Sequence, residues 1–167
     1  MFKKGLIAAA AAAFLATGAM AADFKVGVVN PGKILAESAP AVAAQNKLKS
    51  YFKSREDELN RRVRAFKDKA GKFEKDSAVM TESERLSKRR DLAEEEREIT
   101  RMQRALLDER NQRAQEESQI ILSRANRIIQ DLAKSQKYDL ILQEAVWASP
   151  KVDLTDEVIK RLNKPAK

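Results

Sequence analysis

The side chains in this sequence that could act on another molecule are nearly all cations and carboxylates. The 167 residues hold 33 Lys and Arg against 25 Asp and Glu, with no Cys and no His. That excludes a thiolate nucleophile, an imidazole base, a disulfide framework and a Cys/His metal site. No Gly-rich phosphate cradle occurs either, so ATP-driven work has no place in the sequence. Carboxylate-only catalysis is what remains, and the Asp and Glu stand in runs typical of a solvated helix face. An enzyme is the weakest reading, and no cofactor is expected.

The order of the charges is more informative than their number. Between Arg61 and Arg90 basic residues far outnumber acidic ones, and compensation follows at once in Asp91, Glu94, Glu95, Glu96 and Glu98. Lys72, Lys75, Lys88, Arg89 and Arg90, with Arg85, form a candidate patch for an anionic ligand, whose chemistry would be summed, salt-sensitive ionic attraction. The plain alternative is a solvated coiled-coil face whose ion pairs each contribute little. In the middle of this tract "KDSAVMTESER" (Lys75 to Arg85) sets apolar groups in a row. Val79 and Met80 there would either give weak, adaptable contact to an apolar partner or staple a turn.

Such residues need elements to position them. From about Pro40 to Gln136 the chain contains one Gly, Gly71, and no Pro after Pro40, and it is rich in strong helix formers. Apolar residues recur at Phe52, Leu59, Val63, Phe66, Ala70 and Phe73, with steps of four and three from Leu59 onward. Leu92, Ile99 and Leu106 then repeat every seven residues, with Met102 between them. This is the seam of a coiled coil. Beyond Ile120 the seam widens into Ile121, Leu122, Ala125, Ile128, Ile129 and Leu132, a stripe broad enough for a globular core. Thr81 followed by Glu84 has the spacing of a capping box. A helical hairpin with its tip near 77–80 is favoured over one uninterrupted rod. Gly71 is a candidate hinge in the first arm.

At the ends, Phe24, Val26 and Val28 alternate with Lys25 and Gly27 and read as a strand closed by a turn at Asn30-Pro31-Gly32. "YDLILQ" and "AVWA" read as two further strands, and "LTDEVIKRLNK" as a small helix capped by Thr155. Lys3 and Lys4 followed by an apolar run and Ala19-Met20-Ala21 read as a signal peptide over 1–21, cleaved after Ala21. The mature chain, 22–167, is then one exported domain: a body from approximately 22–50 and 125–165, and an arm over approximately 51–124. The fold class is mainly α with a small β body. A body of that size is small for a stable core and exposes its sheet edges, so a homo-oligomer sharing a β core is expected, with Phe24, Val26, Val28, Leu140 and Leu142 in that body.

The segments "VGVVNPGKILAESAPAVAAQNKLKSYFKSREDEL", "ITRMQRALLDERNQRAQEE" and "YDLILQ" through "VDLTDEVIKRLNK" resemble the OmpH family, also called Skp, across essentially the whole mature chain. The resemblance implies an ATP-independent periplasmic holdase. It would be a homotrimer with a β body and three hairpin tentacles enclosing a cavity for unfolded outer-membrane proteins. Some relatives carry a lipopolysaccharide site built from basic tentacle residues, so lipopolysaccharide or an anionic membrane surface is a further candidate partner. Asn30 stands where relatives often have Asp. Rival readings are an envelope adaptor without chaperone activity and a basic nucleic-acid-binding coiled coil. The latter has no groove-reading motif and few aromatics, so no specific nucleic acid is expected.

Overall fold

The structure, a computed structural model, describes residues 24–165, so the expected signal peptide lies outside the described residues. Val26–Val29 forms strand β1. Asn30-Pro31-Gly32 does not make the expected turn and instead opens a helix, α1 (Pro31–Glu37). The Asn30 side chain accepts the Lys33 N–H at 3.0 Å, and Pro31 sits in the first turn where its missing N–H has no helical partner to lose. Asp would cap this position as well as Asn does.

After an extended Ser38, α2 (Ala39–Asp76) runs for 38 residues, and α3 (Glu82–Gln136) returns for 55. At 1.5 Å per residue these are about 57 and about 82 Å long. Their ion pairs fix the direction. Lys47 meets Glu117, Arg55 meets Glu109, Glu56 meets Arg110 and Lys69 meets Glu95, so partner numbers fall as α2 advances. The two helices are an antiparallel hairpin, and α3 overshoots the start of α2.

The overshoot ends at Lys137, a left-handed residue with φ of 56°, and β2 (Leu140–Gln143) follows. β2 pairs with β1 in parallel, Val26 opposite Leu140 through Val29 opposite Gln143. Parallel pairing is possible because the whole hairpin serves as the crossover. On its other side β1 is bonded to the C-terminal segment, the Val28 N–H donating to the Val152 carbonyl and the Leu154 N–H to the Val28 carbonyl, both at 2.8 Å. The expected third strand at "AVWA" does not form in the single chain; 145–148 is irregular, and Val146 and Trp147 are exposed.

The last helix is α4 (Thr155–Leu162). Thr155 begins it but is not its cap: Asp153 Oδ1 accepts the Thr155 N–H at 2.8 Å, while Thr155 Oγ1 accepts the Asn30 N–H at 2.9 Å. A fully buried hydroxyl thus ties the start of α4 to the end of β1.

Val29, Ile34, Ala41, Leu132, Val158 and Leu162 are among the residues that close the core, which draws on both chain ends and the widened end of the α3 seam. Gly27 makes that closure possible, since a Cβ there would lie 2.6 Å from Leu154 Cδ1 and 3.3 Å from the Tyr138 ring. The result is the expected class: long helices with a small sheet at their base.

Candidate functional site

The arm tip is built by two local devices. The Thr81 hydroxyl accepts the Glu84 N–H at 3.3 Å while the Glu84 carboxylate accepts the Thr81 N–H at 2.9 Å, forming both halves of the capping box. The Thr81 hydroxyl, donating to the same carboxylate at 2.7 Å, and then the Thr81 N–H hold the Glu84 carboxyl below the usual carboxylate range. Arg85 folds back to donate to the Met80 carbonyl at 3.4 Å. It is therefore a half-buried brace of the turn and stands apart from the other cations of the expected patch.

The structure separates the two apolar tip residues. Val79 is 87% exposed at the apex. Met80 is half-buried and heads a groove of about 320 Å³ that it shares with Phe73 and Leu92, flanked by Lys72 and Lys88. Of the two uses considered for this stretch, Val79 fits the free contact and Met80 the staple.

Lys72, Lys75, Lys88, Arg89 and Arg90 form no ion pair among the described residues, while nearby Lys69 is held by Glu95 at 2.9 Å. These five cations of the distal arm are therefore free to meet an anion. α2 passes Gly71 without a break, and a Cβ there would meet open space.

Below the tip the seam is only partly closed. Ile99 is buried, whereas Leu59, Val63, Phe66, Phe73, Leu92, Met102 and Leu106 remain half-buried, because two helices cannot cover both flanks of their own interface. Leu59, Met102, Ala105 and Leu106 floor a second groove, of about 370 Å³, beside Arg55 and Glu109.

Nearer the base the two helices are knotted at Tyr51. Its hydroxyl donates to Glu109 at 3.3 Å and accepts from Arg113 at 3.1 Å, and the Arg113 and Arg55 guanidinium groups lie 4.5 and 5.3 Å from its ring centre. Arg113 and then Arg55, both bonded to Glu109, hold its carboxyl below the usual range. Sequence reasoning missed this cluster. Its members are four ordinary helix-surface residues whose shared position depends on the register of the hairpin.

The β body presents an unpartnered face. Gly27 and Val29 point into the core and Ile141 packs against it, while Val26 and Val28 are half-buried and Leu140 and Leu142 are 42% and 43% exposed. Phe24 is exposed beside them. All five residues expected in a shared body are thus on or next to one outward surface of the single chain.

A family profile for outer membrane proteins (OmpH-like) matches residues 25–162. Chaperone protein Skp of Escherichia coli (strain K12) is 29% identical over 163 residues, covering 96% of this chain and 99% of that protein. Chaperone protein Skp of Photorhabdus laumondii is 30% identical over 164 residues, with the same coverage. A solved OmpH-like structure from Caulobacter crescentus CB15, at 18% identity, shares the fold with a TM-score of 0.68 over 83% of each chain. With β1, the helical hairpin and α4 all inside the matched span, the chain belongs to the OmpH-like family.

Proposed function

We propose that the chain is an ATP-independent periplasmic holdase that captures unfolded outer-membrane proteins between arms of a homotrimer and keeps them from aggregating. The observation that carries this reading is the half-covered arm seam, whose grooves offer apolar surface along a long charged rod. An unfolded chain could lay isolated apolar side chains there while the charged rims stay in water. Each contact is weak, and arms linked through one body add such contacts by effective concentration, giving tight yet reversible capture without a nucleotide. The relatives named Chaperone protein Skp support the assignment. In this reading 1–21 is a signal peptide removed after Ala21, 22–167 is the working domain, and Val79 is a client contact at the tip.

The five unpaired cations support a second ligand class. Lipopolysaccharide or an anionic membrane surface would be drawn to Lys72, Lys75, Lys88, Arg89 and Arg90 by the same salt-sensitive attraction.

The test dilutes a denatured outer-membrane β-barrel protein into buffer with and without the mature chain and follows light scattering. Suppression at one trimer per client is the expected result; scattering equal to the control would leave a structural adaptor as the better reading.

A further inference from the structure

We propose that Met80 and Met102 are oxidation sites through which a peroxide turns down the arms' hold on an unfolded client. This rests on the holdase reading above and deepens it by naming how capture is regulated. The chain has no Cys, so no thiol intercepts an oxidant. Of its four Met residues, Met1 and Met20 fall within the expected signal peptide, which leaves Met80 and Met102 as the only sulfur atoms of 22–167. Each lines one of the two arm grooves, Met80 with Phe73 and Leu92, and Met102 with Leu59 and Leu106. Both are half-buried, so a small oxidant reaches the thioether without unfolding the arm. The core of the body, by contrast, is closed by Val, Ile, Leu and Ala. Within 22–167 sulfur therefore stands on the surfaces proposed to touch a client and not in the core that holds the fold.

The step is a single oxygen transfer. The sulfur lone pair attacks one oxygen of hydrogen peroxide and the O–O bond breaks. The hydroxide that leaves takes the proton of the transferred oxygen and becomes water, so sulfur is oxidised by two electrons to the sulfoxide and the peroxide is reduced by two. A dithiol reverses the change: it gives up two electrons and two protons, the oxygen departs as water, and a disulfide of the reductant is left. In the oxidised state a flexible apolar side chain has become a polar one with a strong acceptor oxygen. At Met102 that oxygen enters a groove floored by Leu59, Ala105 and Leu106, and the neighbouring Arg55 is already bonded to Glu109. An apolar client side chain laid over it would bury an unpaired acceptor, which opposes binding. At Met80 the ammonium groups of Lys72 and Lys88 line the same groove without an ion pair and can donate to the new oxygen. Met102 therefore carries most of the loss of capture, and Met80 the milder part.

The test treats full-length mature protein with hydrogen peroxide and locates oxygen uptake by peptide mass spectrometry. Suppression of light scattering by a denatured outer-membrane β-barrel protein is then compared with that of the untreated chain. The expected result is one oxygen at each of Met80 and Met102, helices unchanged in far-ultraviolet dichroism, and at least about threefold more protein needed for equal suppression. Sulfoxide reductases for both epimers, supplied with a dithiol, should restore the original requirement. Met102→Leu, measured against its own untreated form, should lose most of the oxidant effect, and Met102→Gln should reproduce much of it without oxidant. Oxygen at both sulfurs with unchanged capture would overturn the inference and leave the holdase standing. So would a loss that survives reduction or persists in the doubly substituted Met80→Leu, Met102→Leu chain, since it would then belong to damage elsewhere, beginning with the exposed Trp147. Failure of either sulfur to take up oxygen before the helices melt would overturn it without reference to any client. An untreated chain that does not suppress scattering would remove the holdase and this inference together.

Discussion

The Arg113 guanidinium lies 4.5 Å from the centre of the Tyr51 ring, so a cation of the returning helix is seated on an aromatic of the outgoing one. Arg55 approaches the same ring, and Glu109 bonds Tyr51 and both arginines. Replacing Tyr51 by Ala removes the meeting point. The expected cost is about 1–2 kcal/mol in thermal unfolding. Amide exchange should quicken around positions 48–58 and 106–116, with Tyr51→Phe intermediate because it keeps the ring. An unaltered exchange pattern in Tyr51→Ala would show that the seam alone holds this part of the arm.

The same cluster predicts acid sensitivity. Glu109 has a depressed carboxyl pKa in the folded chain, first because of its bonds to Arg113 and Arg55. Its contribution is present above the unfolded value of about 4.3 and is lost as pH falls through the lower folded value. Arm protection from amide exchange should therefore drop across that acid range. Glu109→Gln should show weaker protection at neutral pH and a smaller acid-induced drop.

Gly71→Ala tests the proposed hinge cleanly, because the new methyl meets nothing and the helix is already continuous. Stability should rise by about 0.5–1 kcal/mol. If flexing there adjusts the arms, the variant should lose part of its client size range, measured by scattering assays with small and large β-barrel proteins. A stabilised variant with an unchanged range would rule the hinge out.

At the tip, Val79→Asp should leave the melting temperature nearly unchanged, since the side chain is exposed, and should weaken client capture. Met80→Ala should instead loosen the turn, quickening exchange from Ser77 to Arg85, because Met80 is the half-buried member of the pair. Equal loss of capture in both variants without faster exchange would mean that both residues are contacts.

Reversing Lys88, Arg89 and Arg90 to Glu should abolish lipopolysaccharide binding at low salt, whereas Arg85→Gln should mainly disturb the tip it braces. Binding that persists in the triple variant would place any such site elsewhere.

Much of this architecture could be read in advance because its signals are local. Thr81 and Glu84 are three residues apart, the seam repeats within single turns, and a Gly-poor tract of strong helix formers has few alternatives. The misreadings have physical causes. Asn30-Pro31-Gly32 has turn chemistry, but Asn and Pro are also the residues that begin helices, and only contacts with α4 and the core decide between the two. Thr155 has the type and position of a cap, yet its hydroxyl is taken by Asn30 from across the chain, and Leu154 stands at the cap position with Asp153 accepting the Thr155 N–H from outside the helix. The Tyr51 cluster joins residues up to 62 positions apart and could not be assembled without the register of the two helices.

Pairing Val26 with Leu140 also sets an order of events. The bond from the Lys25 amide to Asp139 spans 114 positions, which would be a slow loop for a flexible chain to close. α2 and α3 bring those positions together by folding back on one another through nearby contacts. The rods should therefore form before the sheet, and the surface proposed to join copies comes into being last, at the foot of arms already standing.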